Sequence, residues 1–140
     1  MEAPPSQTHR ILHILVLNDD PETLQLLASW FETQGHTTVL ARITGMLDPE
    51  EEVARLADAE RPDVVVYDVG FPYAENWRLL EGLRSKPPLA SIPLVVTTAS
   101  RRALESVAAS AVTKDVADTS EDLHDLLDAV YRVTSAVSRP

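Results

Sequence analysis

Hydrophobic and polar positions fall in alternating blocks along the chain. Ile11 to Leu17 is a short, mostly apolar run with β-branched members, and it stops at Asn18-Asp19-Asp20-Pro21, as a buried strand feeding a helix should. Pro21 suits a first helical turn. Leu24, Leu26, Leu27, Trp30 and Phe31 then recur at helical spacing, and Gly35 is placed to end that helix. Thr37 to Ala41 reads as a second strand. Pro49 with Glu50, Glu51 and Glu52 opens a second helix whose apolar face is Val53, Leu56 and Ala57, the acids complementing the positive end of the helix dipole. Val64 to Tyr67 is a third strand, bounded by Pro62 before it and a Gly70-Phe71-Pro72 turn after it, with Asp68 at its C-terminal end. Trp77, Leu79, Leu80 and Leu83 mark a third helix and Ile92 to Thr97 a fourth strand. A short helix over Arg101 to Ala109 and a weak fifth strand over Ala111 to Lys114 follow. Thr119 or Ser120 would cap a last helix carrying Leu123, Leu126, Leu127, Val130 and Val133.

Strands that alternate with helices and read as continuous apolar runs imply a parallel sheet covered on both faces. Five such βα units suit an open, doubly wound α/β sheet and are too few for a closed eight-fold barrel. Ligands of such sheets bind beyond the carboxyl ends of the strands. The residues there are Asn18, Asp19 and Asp20 after the first strand, Asp68 after the third, Thr97 and Thr98 after the fourth and Lys114 after the fifth.

Composition narrows the function. The chain has 140 residues, no Cys, and a formal charge of −10 from 12 basic and 22 acidic residues. Without Cys there are no disulfides, thiol nucleophiles or Cys-bearing zinc sites, and a reducing, cytoplasmic setting fits. The acid surplus argues against nucleic-acid binding, which needs clustered Lys and Arg, and the chain has only Lys86 and Lys114 for lysines. No apolar stretch is long enough to span a membrane. His9, His13, His36 and His124 are scattered without ligand spacing and read as structural or exposed. Residues 1–10 read as a flexible tail and 11–137 as one domain.

Carboxylates, a hydroxyl and an ammonium thus converge at one sheet edge, and the ordered set resembles the receiver domain of two-component response regulators. Asn18-Asp19 within Leu-Asn-Asp-Asp-Pro is similar to that family's acidic pair. Asp68 within Val-Val-Val-Tyr-Asp-Val-Gly-Phe-Pro resembles its phosphoacceptor, and Thr98 in Val-Val-Thr-Thr-Ala its hydroxyl residue, 30 positions later. The resemblance implies a flavodoxin-like (βα)5 fold with a five-stranded parallel sheet in the order 2-1-3-4-5. It also implies a non-enzymatic phosphoacceptor that at most slowly dephosphorylates itself. Mg2+ would be held by Asp19, Asp68 and the Gly70 carbonyl, with Asn18 a weak or outer-shell contributor. Lys114 would neutralise the phosphoryl group, and Thr98 would hydrogen-bond it and shift the population of an activated state. Gly70 and Ser100 would tune the phosphoryl lifetime. The implied partners are a sensor histidine kinase or phosphotransfer protein and an unidentified downstream target, with a homodimer possible.

Local alternatives exist for each residue. Any of Asn18, Asp19 and Asp20 can cap the first helix, Thr97 and Thr98 can be plain strand residues, and Lys114 can be a surface lysine. Four positions also depart from the family pattern. Asn18 stands for an acid, which removes one negative charge from the metal pocket. Lys114 follows Thr98 by only 16 residues and precedes Asp115, where proline is usual. Ala111 replaces an aromatic switch residue. Asn76 stands near a family glycine, where it would have to accept positive φ. The altered switch leaves a second reading, an atypical receiver acting as a phosphorylation-independent interaction module. A flavoprotein of the same fold is disfavoured because no glycine-rich phosphate loop follows the first strand.

Overall fold

A computed structural model of the chain describes residues 10–98, 101–108, 116–118 and 123–138. Strands and helices alternate: β1 (His13–Asn18), α1 (Pro21–Thr33), β2 (Thr37–Arg42), α2 (Pro49–Glu60), β3 (Val64–Asp68), α3 (Tyr73–Arg84), β4 (Leu94–Thr98), α4 (Arg101–Ala108), β5 (Val116–Asp118) and α5 (Leu123–Ser138), with a short 3-10 turn at Leu89–Ser91. The helices begin where the sequence supplies caps. Asp20 caps α1 ahead of Pro21, Asp48 caps α2 ahead of Pro49, and Gly35 takes φ +97° just past the end of α1.

All strand pairs are parallel. Four strands of five or six residues, in the order β2-β1-β3-β4, carry the long ladders, and β5 adds three residues on the far side of β4. The span Ala111–Lys114 expected for the fifth strand lies outside the described residues; the strand described is Val116–Asp118, with Val116 beside Val96 and Asp118 beside Thr98. The caps expected at Thr119 or Ser120 also lie outside the described residues.

Two-residue alternation divides the core into two layers. Ile14 and Val16 of β1, Val64 and Val66 of β3 and Val95 of β4 pack against Leu24, Leu27 and Phe31 of α1 and Leu126 and Val130 of α5. Leu15 and Leu17, Val65 and Tyr67, and Val96 face the other way, onto Val53 and Ala57 of α2, Trp77, Leu80 and Leu83 of α3 and Leu104 of α4. Buried on both faces, the central strands hold their C-terminal ends in fixed positions. His36, buried at the start of β2, ties the first layer together: its Nδ1 accepts the Leu12 backbone N–H at 3.1 Å and its Nε2 meets the Tyr131 hydroxyl of α5 at 2.9 Å. At the N-terminal end, Arg10 reaches Asp63 at 3.4 Å. Among the described residues no helix is long and apolar enough to cross a membrane.

Phe31 is fully buried between α1 and the sheet. Phe31→Ala is expected to cost about 3–5 kcal/mol in chemical denaturation; a loss under about 1 kcal/mol would mean the layer collapses around the gap.

Candidate functional site

The site lies where β1 and β3, at the centre of the sheet, end together. Leu17 pairs with Tyr67, so one further step along the register brings Asn18 beside Asp68, and Asp68 in turn pairs with Thr97 of β4. The same alternation that sorts the core puts Asn18, Asp68 and Thr97 on one face, continuing the rows Ile14-Val16, Val64-Val66 and Val95. Asn18 and Thr97 are buried and Asp68 partly so. The Thr97 hydroxyl donates to Asp68 Oδ1 at 2.5 Å. Thr98, the hydroxyl residue singled out by its resemblance, continues the row of Val96 on the opposite face and is fully buried there. Of the two threonines that end the fourth strand, period-two counting from Val95 places Thr97 on the face of Asp68.

The three polar residues after β1 have separate tasks. Asp20 is the α1 cap: its carboxylate accepts the Thr23 hydroxyl at 2.8 Å and the Glu22 N–H at 3.3 Å, and these bonds hold its pKa below the usual Asp value. Asp19 is exposed. Its Oδ1 accepts the Thr44 N–H at 2.7 Å, and its carbonyl takes Arg42 Nε at 3.1 Å, which pins the β1–α1 loop to the end of β2. Asn18 Oδ1 accepts the Asp20 N–H at 2.6 Å, so its Nδ2 points the other way. That amide nitrogen is buried with no partner within hydrogen-bond distance, yet it lies near enough to Asp68 to favour the charged carboxylate.

On the far side, Asn76 Nδ2 bridges the carbonyls of Gly70 at 2.9 Å and Pro72 at 3.1 Å. The positive φ expected of Asn76 is absent. It sits in the first turn of α3, and Arg61 is the only non-glycine residue with positive φ among those described. The loop thus uses a side-chain amide at this position in place of a positive φ. Asn18, Asp19, Asp68, Gly70 and Asn76, together with Ile43, Tyr67 and Phe71, line a small cleft of about 60 Å³.

Burial is the largest influence on Asp68 and pushes its pKa up, as does the charge of Asp20, while the Thr97 and Asn18 contacts oppose this. Burial, with the charges of Asp19 and Asp68, also raises the Tyr67 phenol, which stays neutral at any physiological pH. Asp19, Asp68 and the Gly70 carbonyl are hard oxygen donors on one cleft and fit a Mg2+ ion, which is commonly held by one or two carboxylates with water completing the shell. Among the described residues no cluster of three or more acidic, His or Cys side chains could hold a metal. The Asn18 oxygen accepts the Asp20 N–H, so it is the amide nitrogen of this side chain that is turned away from the loop. Lys114, Ala111 and Ser100 lie outside the described residues; the β5 residue beside Thr98 is Asp118.

No protein-family profile matches the chain. It is 30% identical over 96 residues to an uncharacterised 14.6 kDa protein encoded in the sodA1 3′ region of Leptolyngbya boryana, spanning 69% of each chain. It is 25% identical over 103 residues to the transcriptional regulatory protein GlrR of Escherichia coli, of which that match covers only 21%. Among solved structures, the signal receiver domain of a signal transduction histidine kinase from Syntrophus aciditrophicus is 25% identical, with a TM-score of 0.68 over 92% of this chain and 94% of that one. The receiver domain of the sensor histidine kinase PA1611 from Pseudomonas aeruginosa, solved with a magnesium ion in its active-site cleft, is 17% identical and shares the fold with a TM-score of 0.65 over 90% of this chain and 99% of that one.

The raised pKa of Asp68 fixes the sign of a stability effect. Between the ordinary value of 3.8 and its raised value, the folded protein binds more protons than the unfolded chain, so stability falls as pH rises through that window and stays lower at neutral pH. Asp68→Asn, whose amide oxygen can still accept from Thr97, should raise the melting temperature of the metal-free protein at pH 7. The gain should shrink as pH is lowered toward 3.8. A melting temperature lowered at pH 7 would show that the buried carboxylate is instead stabilised by its surroundings.

Proposed function

Because the chain belongs to the receiver domains of response regulators, we propose that it accepts a phosphoryl group on Asp68 and signals the change to a protein partner. The observation that carries this reading is the Asp68 carboxylate, partly buried at the end of a central strand and facing a cleft that two acids and a backbone carbonyl line with oxygen. An ionisable side chain in such a place is costly for stability alone and is understandable as a reacting group.

In the proposed transfer, one oxygen of the Asp68 carboxylate attacks the phosphorus of a phosphohistidine on a sensor histidine kinase or phosphotransfer protein. The phosphorus–nitrogen bond breaks and its electron pair returns to the donor ring nitrogen, which takes a proton from solvent. Thr97 holds Oδ1 by its hydroxyl, which orients the carboxylate and leaves Oδ2 to react. Asp19, Asp68 and the Gly70 carbonyl would hold Mg2+, which offsets the negative charge that gathers on the phosphoryl oxygens. Asn76 steadies Gly70, and the Thr44 N–H steadies Asp19. Slow hydrolysis reverses the state: water attacks phosphorus, the Asp68 oxygen–phosphorus bond breaks, and inorganic phosphate leaves.

Thr98 is the proposed hydroxyl of the conformational response, and Lys114 the proposed fixed cation. Signalling through residues 11–137 as one cytoplasmic domain, and an unidentified protein target that reads the phosphorylated form, complete the proposal.

Wild-type protein incubated with acetyl phosphate and saturating Mg2+ should gain the mass of one phosphoryl group by intact-protein mass spectrometry, and Asp68→Asn should gain none. Equal gain in both, or none in either, would overturn Asp68 as the acceptor.

A further inference from the structure

Asn18 is the residue at the site whose bonding is incomplete. The residue is 7% exposed, its oxygen is used by the Asp20 N–H, and its Nδ2 is buried in the cleft wall with no partner within hydrogen-bond distance, though near enough to Asp68 to favour the charged carboxylate. A buried donor without an acceptor is a cost of about 1–3 kcal/mol that folded proteins seldom leave in place. The amide cannot escape it by turning over, because the Asp20 N–H demands an oxygen at 2.6 Å. The donor therefore faces the Asp68 side of the cleft by construction, where the largest thing the proposed reaction adds is an oxyanion.

We propose that Asn18 is a catalytic hydrogen-bond donor: its Nδ2–H binds an oxygen of the phosphoryl group carried by Asp68, taking up part of the charge that a metal and a fixed cation would otherwise offset alone. The inference rests on Asp68 as phosphoacceptor. It reverses the expectation that Asn18 is a weak contributor of oxygen to the metal. One feature of the chain agrees with it: an amide in place of a carboxylate lowers the negative charge that an incoming phosphoryl group meets.

The test separates donor from ligand with beryllium trifluoride, a tetrahedral stand-in for a phosphoryl group on a carboxylate, titrated by 19F NMR at saturating Mg2+; Mg2+ affinity is measured separately by calorimetry. Asn18→Asp keeps the oxygen for Asp20 and so keeps the loop folded, while removing the donor and adding a charge. Asn18→Leu removes the donor without adding charge. We expect both variants to bind beryllium trifluoride about ten- to a hundredfold more weakly than wild type, the loss of one hydrogen bond to a charged group. Mg2+ should bind more tightly to Asn18→Asp and within about threefold of wild type to Asn18→Leu. Undiminished beryllium trifluoride binding in both variants overturns the donor role. So does a parallel loss of Mg2+ and beryllium trifluoride in Asn18→Leu, which would make Asn18 a metal ligand. If wild type itself forms no complex at saturating Mg2+, the phosphoacceptor reading fails, and the donor role with it.

Discussion

Everything at this sheet edge answers one constraint: a carboxylate is held half out of water at the end of a strand that is apolar on both faces. Val64, Val65, Val66 and Tyr67 are all buried, so the backbone that carries Asp68 cannot swing it into solvent. Its charge must then be met locally. Thr97 meets it with a short hydrogen bond, Asn18 with an amide close by, and the cleft with room for a cation. The parallel sheet makes this possible because every strand delivers its last residue to the same edge, and because the alternation that buries valines inward also lines up Asn18, Asp68 and Thr97 on one face.

The loops serve the same end. Asp20 and Asp48 start helices, and Asp19 is bonded into the loop beyond β2, so most acids near the edge are spoken for structurally. Elsewhere the acid surplus sits on exposed faces such as Glu51 with Arg55, or Glu50 with Lys86, where it contributes little to stability. Asp68 and Asp19 are the carboxylates on the cleft, Asp19 while it also holds the Thr44 N–H. A pocket with two acids and an inward-facing amide is electrostatically milder than one with three acids, and this difference in charge makes Asn18 the most informative single position in the chain.

Much of this was legible in the sequence because burial writes a plain code. The β-branched run before Asp68 identified a buried strand end, and Pro21, Gly35 and Pro49 marked helix boundaries that the structure keeps. What escaped depended on neighbours distant in sequence. Val116 joins the sheet because β4 pairs with it, which no local pattern states. His36, read as structural or exposed, is structural, but its partner Tyr131 of α5 lies 95 positions away. Asn76 was expected to substitute for a glycine's backbone freedom, whereas it supplies an amide to two carbonyls. Thr97 was within reach of simple period-two counting, and Asn18 was recognised as unusual, but the direction of its amide follows only from the Asp20 N–H that claims its oxygen.

The central claim is chemical: the Asp68 carboxylate is the atom group that takes the phosphoryl load. Borohydride reduces an aspartyl phosphate to the alcohol and leaves free carboxylates untouched, so treating the protein with acetyl phosphate and Mg2+, reducing it and mapping the peptides by mass spectrometry reads the acceptor directly. The account predicts a single reduced residue, at position 68. Reduction at Asp19 or Asp20, or at no residue, would contradict it.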